Sequence, residues 1–258
     1  MVGISNHKQF VLLLAVAILS ARSDVVLADG KLQRLRSEVR DEDSSEKKKK
    51  EKSSSTFSCD DDDEDFLDEL MKPLVLYTVA ASFVVPHLML EGDIWTTGYF
   101  QDYPYESFPG HMVIDSSEFE GTSSWFGRFT AQYGDDLDGV SLIGGRLLLD
   151  SHARLGLDVE WNRHGEILSD GDTDHLWTGD VNAVFRFAQS EHVEFRSGCG
   201  LNWLSDEIGS DYGFNFTYGA DIYPVRPWVV STSLDLGKLG EATRLHLRGT
   251  GGVIHEGL

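Results

Sequence analysis

The chain has 258 residues, room for one domain with extensions, and sets 43 Asp and Glu against 22 Lys and Arg for a formal charge of −21. So acidic a surface argues against nucleic acid as a partner, because phosphate binding needs a basic stripe. The two cysteines, Cys59 and Cys199, stand far apart and give neither a disulfide framework nor metal-ligand spacing.

In chain order, residues 1–28 read as an export signal. His7 and Lys8 precede an uninterrupted apolar run from Phe10 to Leu19, with Val26 and Ala28 as small or apolar residues before a cleavage point ahead of Asp29. The run is too short to span a bilayer comfortably. Phe57-Ser58-Cys59 lies too far from it to serve as a lipoprotein cleavage box. Residues 29–65 carry Lys47 to Lys50, Ser53 to Ser55 and an acidic run from Asp60 to Asp65, and read as a disordered, solvated tether on the periplasmic side.

Residues 66–122 begin with an apolar stretch, Phe66 to Leu90, read as a short helix with Pro73 in its first turn and Pro86 ending or kinking it. About a dozen apolar residues lie between the prolines, short for a span and suited to interfacial anchoring or packing on a barrel. The strip Tyr99-Phe100, Tyr103-Pro104-Tyr105 and Phe108-Pro109 reads as an extended connection at a membrane surface.

From residue 123 to the end the period is two. Trp125, Phe129 and Tyr133 oppose Arg128, Thr130 and Gln132. Leu155, Leu157, Val159 and Trp161 oppose Arg154, Asp158, Glu160 and Asn162. Trp177, Val181 and Phe185 oppose Thr178, Asp180, Asn182 and Arg186. Phe195, Leu201 and Trp203 oppose Glu194, Arg196 and Asn202. Tyr212, Phe214, Phe216 and Tyr218 oppose Asn215, Thr217 and Asp221, and Trp228, Val230 and Leu236 oppose Ser231, Ser233 and Asp235. Weaker runs at 140–150 and 243–253 bring the total to eight strands, with no charge on any apolar face. An eight-stranded barrel interior is only just wide enough for side chains. Trp125, Trp161, Trp177, Trp203 and Trp228 would overfill it, so the apolar face is assigned outward, toward lipid. Tight turns near Ser151-His152, Gln189–His192 and Pro224–Pro227 alternate with longer acidic loops at Gly134–Gly139, Arg163–Asp174 and Leu204–Asp211.

In alternation, turn order and aromatic placement, residues 123–254 resemble the small bacterial outer-membrane β-barrels, outer-membrane protein A and its eight-stranded relatives. The resemblance implies an all-β, antiparallel up-and-down membrane barrel of structural or porin-like class, with the outer-membrane bilayer as partner. No motif names a specific protein partner. The chain departs from that class at Glu256-Gly257-Leu258, where its members usually end in an aromatic residue. It is therefore either a minimal eight-stranded barrel closing on the run 125–133 or a shortened relative of a ten-stranded one.

The inward face carries Asp150, Asp158, Glu160, Asp180, Glu194, Asp221 and Asp235 against Arg128, Arg146, Arg154, Arg186, Arg196, Arg244 and Arg248, with His246 beside the last two. Buried charges must pair, so this set is expected to plug the lumen. His152, His164, His175 and His192 are scattered over turns and loops without a serine and carboxylate at a suggestive spacing. No catalytic residue, cofactor-binding residue, metal ligand or cofactor is assigned, and the chain is read as a non-enzyme. The alternatives are a secreted soluble barrel binding a small apolar ligand and a lipid-modifying outer-membrane enzyme.

Overall fold

The computed structural model describes residues 11–14, 31–40, 62–92, 94–114, 120–136, 139–168 and 171–254. Cys59, most of the export run, residues 41–61 of the linker and the C-terminal Glu256-Gly257-Leu258 lie outside them.

Eight antiparallel strands form one curled up-and-down sheet: β4 (Trp125–Asp135), β5 (Val140–Ser151), β6 (Leu155–Ile167), β7 (Thr173–Gln189), β8 (Val193–Ser205), β9 (Ser210–Ile222), β10 (Trp228–Leu239) and β11 (Ala242–Val253). They follow from the two-residue period, which places one apolar and one polar face along each strand. Ahead of them come β1 (Val11–Leu14), α1 (Lys31–Arg40), α2 (Asp62–Leu90), and the two-residue strands β2 (Tyr99–Phe100) and β3 (Met112–Val113), which pair with each other.

The predicted alternation holds, and the faces have the assigned sense. Leu201, Phe214, Leu245 and Leu247 are exposed, whereas Asp158, Glu160, Asp180, Asn202, Asn215 and Asp221 are buried inside the curl. Ion pairs cross that interior between strands far apart in the sheet, Arg128 on β4 to Asp221 on β9 and Arg244 on β11 to Asp180 on β7.

Several expectations need correction. The strands run further than their apolar stretches, because β6 and β7 stay paired out to Ile167 and Thr173. The upper connections therefore shrink to 136–139, 168–172, 206–209 and 240–241, no longer in kind than the lower ones at 152–154, 190–192 and 223–227. The contrast between short turns and long loops disappears. Of the two alternatives for closure, direct pairing of β11 with β4 is not found: the two are the ends of the meander, and among the described residues no ladder joins them. Instead β1, from within the run read as an export signal, pairs in parallel with Arg128–Ala131 of β4. Residues 31–40, placed in the tether, form α1, because the sheet supplies from afar its caps and the charge partners of Arg36 and Arg40.

Helix α2 starts at Asp62 and continues through Pro86 to Leu90. A proline inside a helix leaves the carbonyl four residues earlier without its donor. Here that is the Ser82 carbonyl, and the Tyr218 hydroxyl on the outer face of β9 donates to it at 2.7 Å. Phe83 packs beside it, its ring 4.9 Å from Phe187 and 5.5 Å from Tyr218. The helix thus lies against the outside of the sheet. No helix among the described residues is long and apolar enough to cross a membrane, which says nothing about strands.

Candidate functional site: a charge-filled lumen closed at both ends

The polar face of the sheet gathers the carboxylates read as inward. All seven are buried; six meet an arginine and the seventh, Asp235, a histidine. Arg186 lies 3.1 Å from Asp150, Arg128 2.7 Å from Asp221, Arg244 2.8 Å from Asp180 and Arg196 3.4 Å from Glu194. Arg196 also bonds Asp221, Arg146 bonds Asp158, and Arg248 bonds Glu160. His246 stands 3.4 Å from Asp235. Neutral amides extend the network: Asn162 donates to Glu160 at 2.7 Å, Asn182 to Asp180 at 2.8 Å, and Asn215 to Asn182 at 3.0 Å. Between β4–β5 and β10–β11 remains a cavity of about 40 Å³, lined among others by Arg128, Arg146 and Arg248.

Arg154 is the exception among the seven arginines. Its backbone turns to a φ of 68°, which breaks the alternation one residue before β6 and takes the side chain out of the lumen. It bonds both carboxylate oxygens of Glu91, at 2.8 and 2.5 Å, and the Thr96 carbonyl. Glu91 also accepts from the Gln189 amide at 2.9 Å. This buried clamp ties the end of α2 to two hairpin turns.

From there residues 95–113, including the strip from Tyr99 to Pro109 that was expected at a membrane surface, fold under the lower end of the sheet. Phe100, Tyr105, His111 and Met112 are buried against Phe126, Tyr223 and Val229. Gln101 organises the loop with its side chain, accepting from the Ser107 and Phe108 amides at 2.8 and 2.9 Å. The Tyr105 hydroxyl donates to the Trp228 carbonyl at 2.8 Å. Gly110, at a φ of 86°, lies so close to the Glu191 carbonyl that a side chain would collide with it. Arg186 stacks over Phe100 at 4.9 Å, joining this apolar closure to the charged lumen above. Aromatic residues close an opening here because the turns bring Phe126, Tyr223 and Val229 together as an apolar rim.

His111 lies in that closure, its ring 4.3 Å from Phe126 and 4.9 Å from Tyr223. Burial pushes its pKa down to about 3, with the Arg128 charge acting in the same direction. Neither ring nitrogen has a hydrogen-bond partner among the described residues. The other histidines are dispersed: His152 stacks on Tyr99 and His164 bonds Thr178. His175 stands beside Arg163 on the outer face.

The upper end is closed by α1. Leu32 and Val39 are buried against Leu176, Leu204 and Leu239. Arg36 bonds Asp174 and Asp206, and Arg40 bonds Asp206 and Asp211. Sequence reasoning missed this closure. Its one local signal is the pair of apolar residues seven apart in a basic segment.

Comparison with protein-family models, with curated proteins and with solved structures found no match to this chain.

Proposed function

We propose that the chain is exported and works as a small outer-membrane β-barrel of the outer-membrane protein A type, with a closed, charge-networked lumen and a structural or surface-interaction role. The carrying observation is the sidedness of the sheet. Leu201 is 61% exposed and Leu247 70%, while Asp221 and Asn215 are fully buried. In water this arrangement exposes a continuous apolar band and buries charge, both unfavourable. In a bilayer the band meets acyl chains, and the ladders satisfy the backbone within the sheet. Strands of 11 to 17 residues meet or exceed the nine to eleven that a tilted crossing requires. A soluble barrel for an apolar ligand needs an apolar lining, and the interior of this sheet is mostly arginine, carboxylate and amide, with a few apolar residues such as Leu148 and Val184.

Lipid does not tolerate an open strand edge. Removal of a leader near residue 28 takes β1 away and leaves the edges of β4 and β11 with only each other or a partner strand. Extraction tests the reading. A membrane barrel leaves the membrane fraction only with detergent and shows different gel mobility boiled and unboiled. Release into plain buffer, with one mobility under both conditions, contradicts it.

A further inference from the structure

The upper closure carries more than a lid. We infer that the acidic upper mouth of the sheet is a receptor for an arginine-bearing amphipathic helix, and that residues 31–40 of the chain are its ligand, docked in cis by contacts that hold without the connecting chain. The inference goes beyond the membrane reading and holds whether the outer face meets lipid or water.

The contacts form a recognition code. Leu32, Arg36, Val39 and Arg40 fall at spacings of four, seven and eight, one face of a helix. The apolar pair enters the pocket formed by Leu176, Leu204 and Leu239. Arg36 reaches Asp174 with two nitrogens, at 2.5 and 2.7 Å, and donates to the His175 carbonyl at 3.0 Å. Asp206, its side chain 1% exposed, sits between Arg36 and Arg40, and Asp211 takes Arg40 at 2.8 Å. Two planar guanidinium groups, one buried carboxylate between them and a partly exposed one on either side give directional selection that lysines would not.

The helix ends are read as well. Glu166, fully buried, accepts from the backbone amides of Lys31 and Leu32 at 2.9 Å each, an anion placed at the positive end of the helix. At the other end the Glu241 amide donates to the Val39 carbonyl at 2.9 Å. The mouth therefore specifies side chains, polarity and length. Its acidic residues come from β6, β7, the 206–209 connection and β9, so the sheet assembles the site and the helix only fills it.

The test uses the full chain with a protease site inserted between residues 41 and 61. After cleavage, the fragment ending there should co-elute with the sheet at low salt and separate in molar salt. Charge-assisted bonds are each worth about tenfold or more in affinity. Arg36→Gln with Arg40→Gln should therefore release the fragment at low salt, and a synthetic peptide of residues 30–41 should rebind the stripped sheet. Loss of the wild-type fragment at low salt overturns the inference. Equal retention of the double variant also overturns it, since the fragment is then held elsewhere, as by β1. Both substitutions lie outside the sheet, and unchanged heat-modifiable mobility checks that it remains folded.

Discussion

At the scale of single residues, the closures rest on groups whose surroundings decide their chemistry. His111 is held neutral by burial, with a pKa near 3, and its ring serves as an aromatic wall between Phe126 and Tyr223. An imidazole with two unsatisfied nitrogens costs stability at such a site. His111→Phe should keep the packing, remove that cost and stabilise the protein by about 1 kcal/mol. Denaturant melting of the two proteins checks this, and a destabilised variant would show that the nitrogens are in use. The histidine's role was not legible in the sequence, because the rings around it come from residues 100, 126 and 223. The lumen pairs were legible as a set. Alternation alone marks which side chains share the inward face, but not that Arg128 would find Asp221 across the curl. Arg154 was misplaced because nothing local announces the positive φ that turns it toward Glu91.

At the scale of elements, two helices are held by what the sheet offers them. Pro86 makes α2 depend on Tyr218, whose hydroxyl replaces the missing amide donor at the Ser82 carbonyl. Tyr218→Phe should cost about 1 kcal/mol, and Pro86→Ala should supply the donor and make the same substitution nearly neutral. A double-mutant cycle measures the coupling, and an equal loss in both backgrounds would contradict it. For α1 the decisive carboxyl is Asp206. Burial alone would raise its pKa, but the Gly209 amide, Arg40 and the Ile208 amide overcome this and hold it at about 2. A depressed folded pKa means that the contribution is complete above the unfolded value near 4. It is then lost as pH falls toward 2. In the cleaved chain the α1 fragment should stay bound at about pH 5 and leave between about pH 4 and 2, ahead of the loss of barrel mobility. Retention below that range would show that Asp206 does not hold it. The eight strands were readable one by one from their period. α1 was not, since its caps are Glu166 and Glu241 and the charge partners of Arg36 and Arg40 lie more than a hundred residues away.

At the scale of the whole molecule, a curled sheet with charge inside and apolar side chains outside has both openings covered by segments that precede it in the chain. In the lumen the carboxylates have partners, and a cavity of about 40 Å³ remains beside Arg128, Arg146 and Arg248. The purified protein in planar bilayers should carry almost no current. Single neutralisations such as Arg244→Gln should destabilise it, by about 3–5 kcal/mol where a buried carboxylate is stranded, more than they alter transport. Large, stable single-channel currents would instead mark an open pore. The sidedness behind this account was the most legible feature of the sequence, because five tryptophans on one face cannot be packed inside eight strands. Closure was the least legible, because pairing between first and last strands depends on global curvature and leaves no local mark. The central claim is that the outward face lies in lipid, and tryptophan quenching by brominated acyl chains tests it most directly. Trp125, Trp161, Trp177 and Trp228 all point outward and are exposed. Reconstituted in vesicles of bromine-labelled phosphatidylcholine, the protein should lose most of its tryptophan emission relative to unlabelled vesicles. Undiminished emission, with the protein recovered in the aqueous fraction, would contradict the claim.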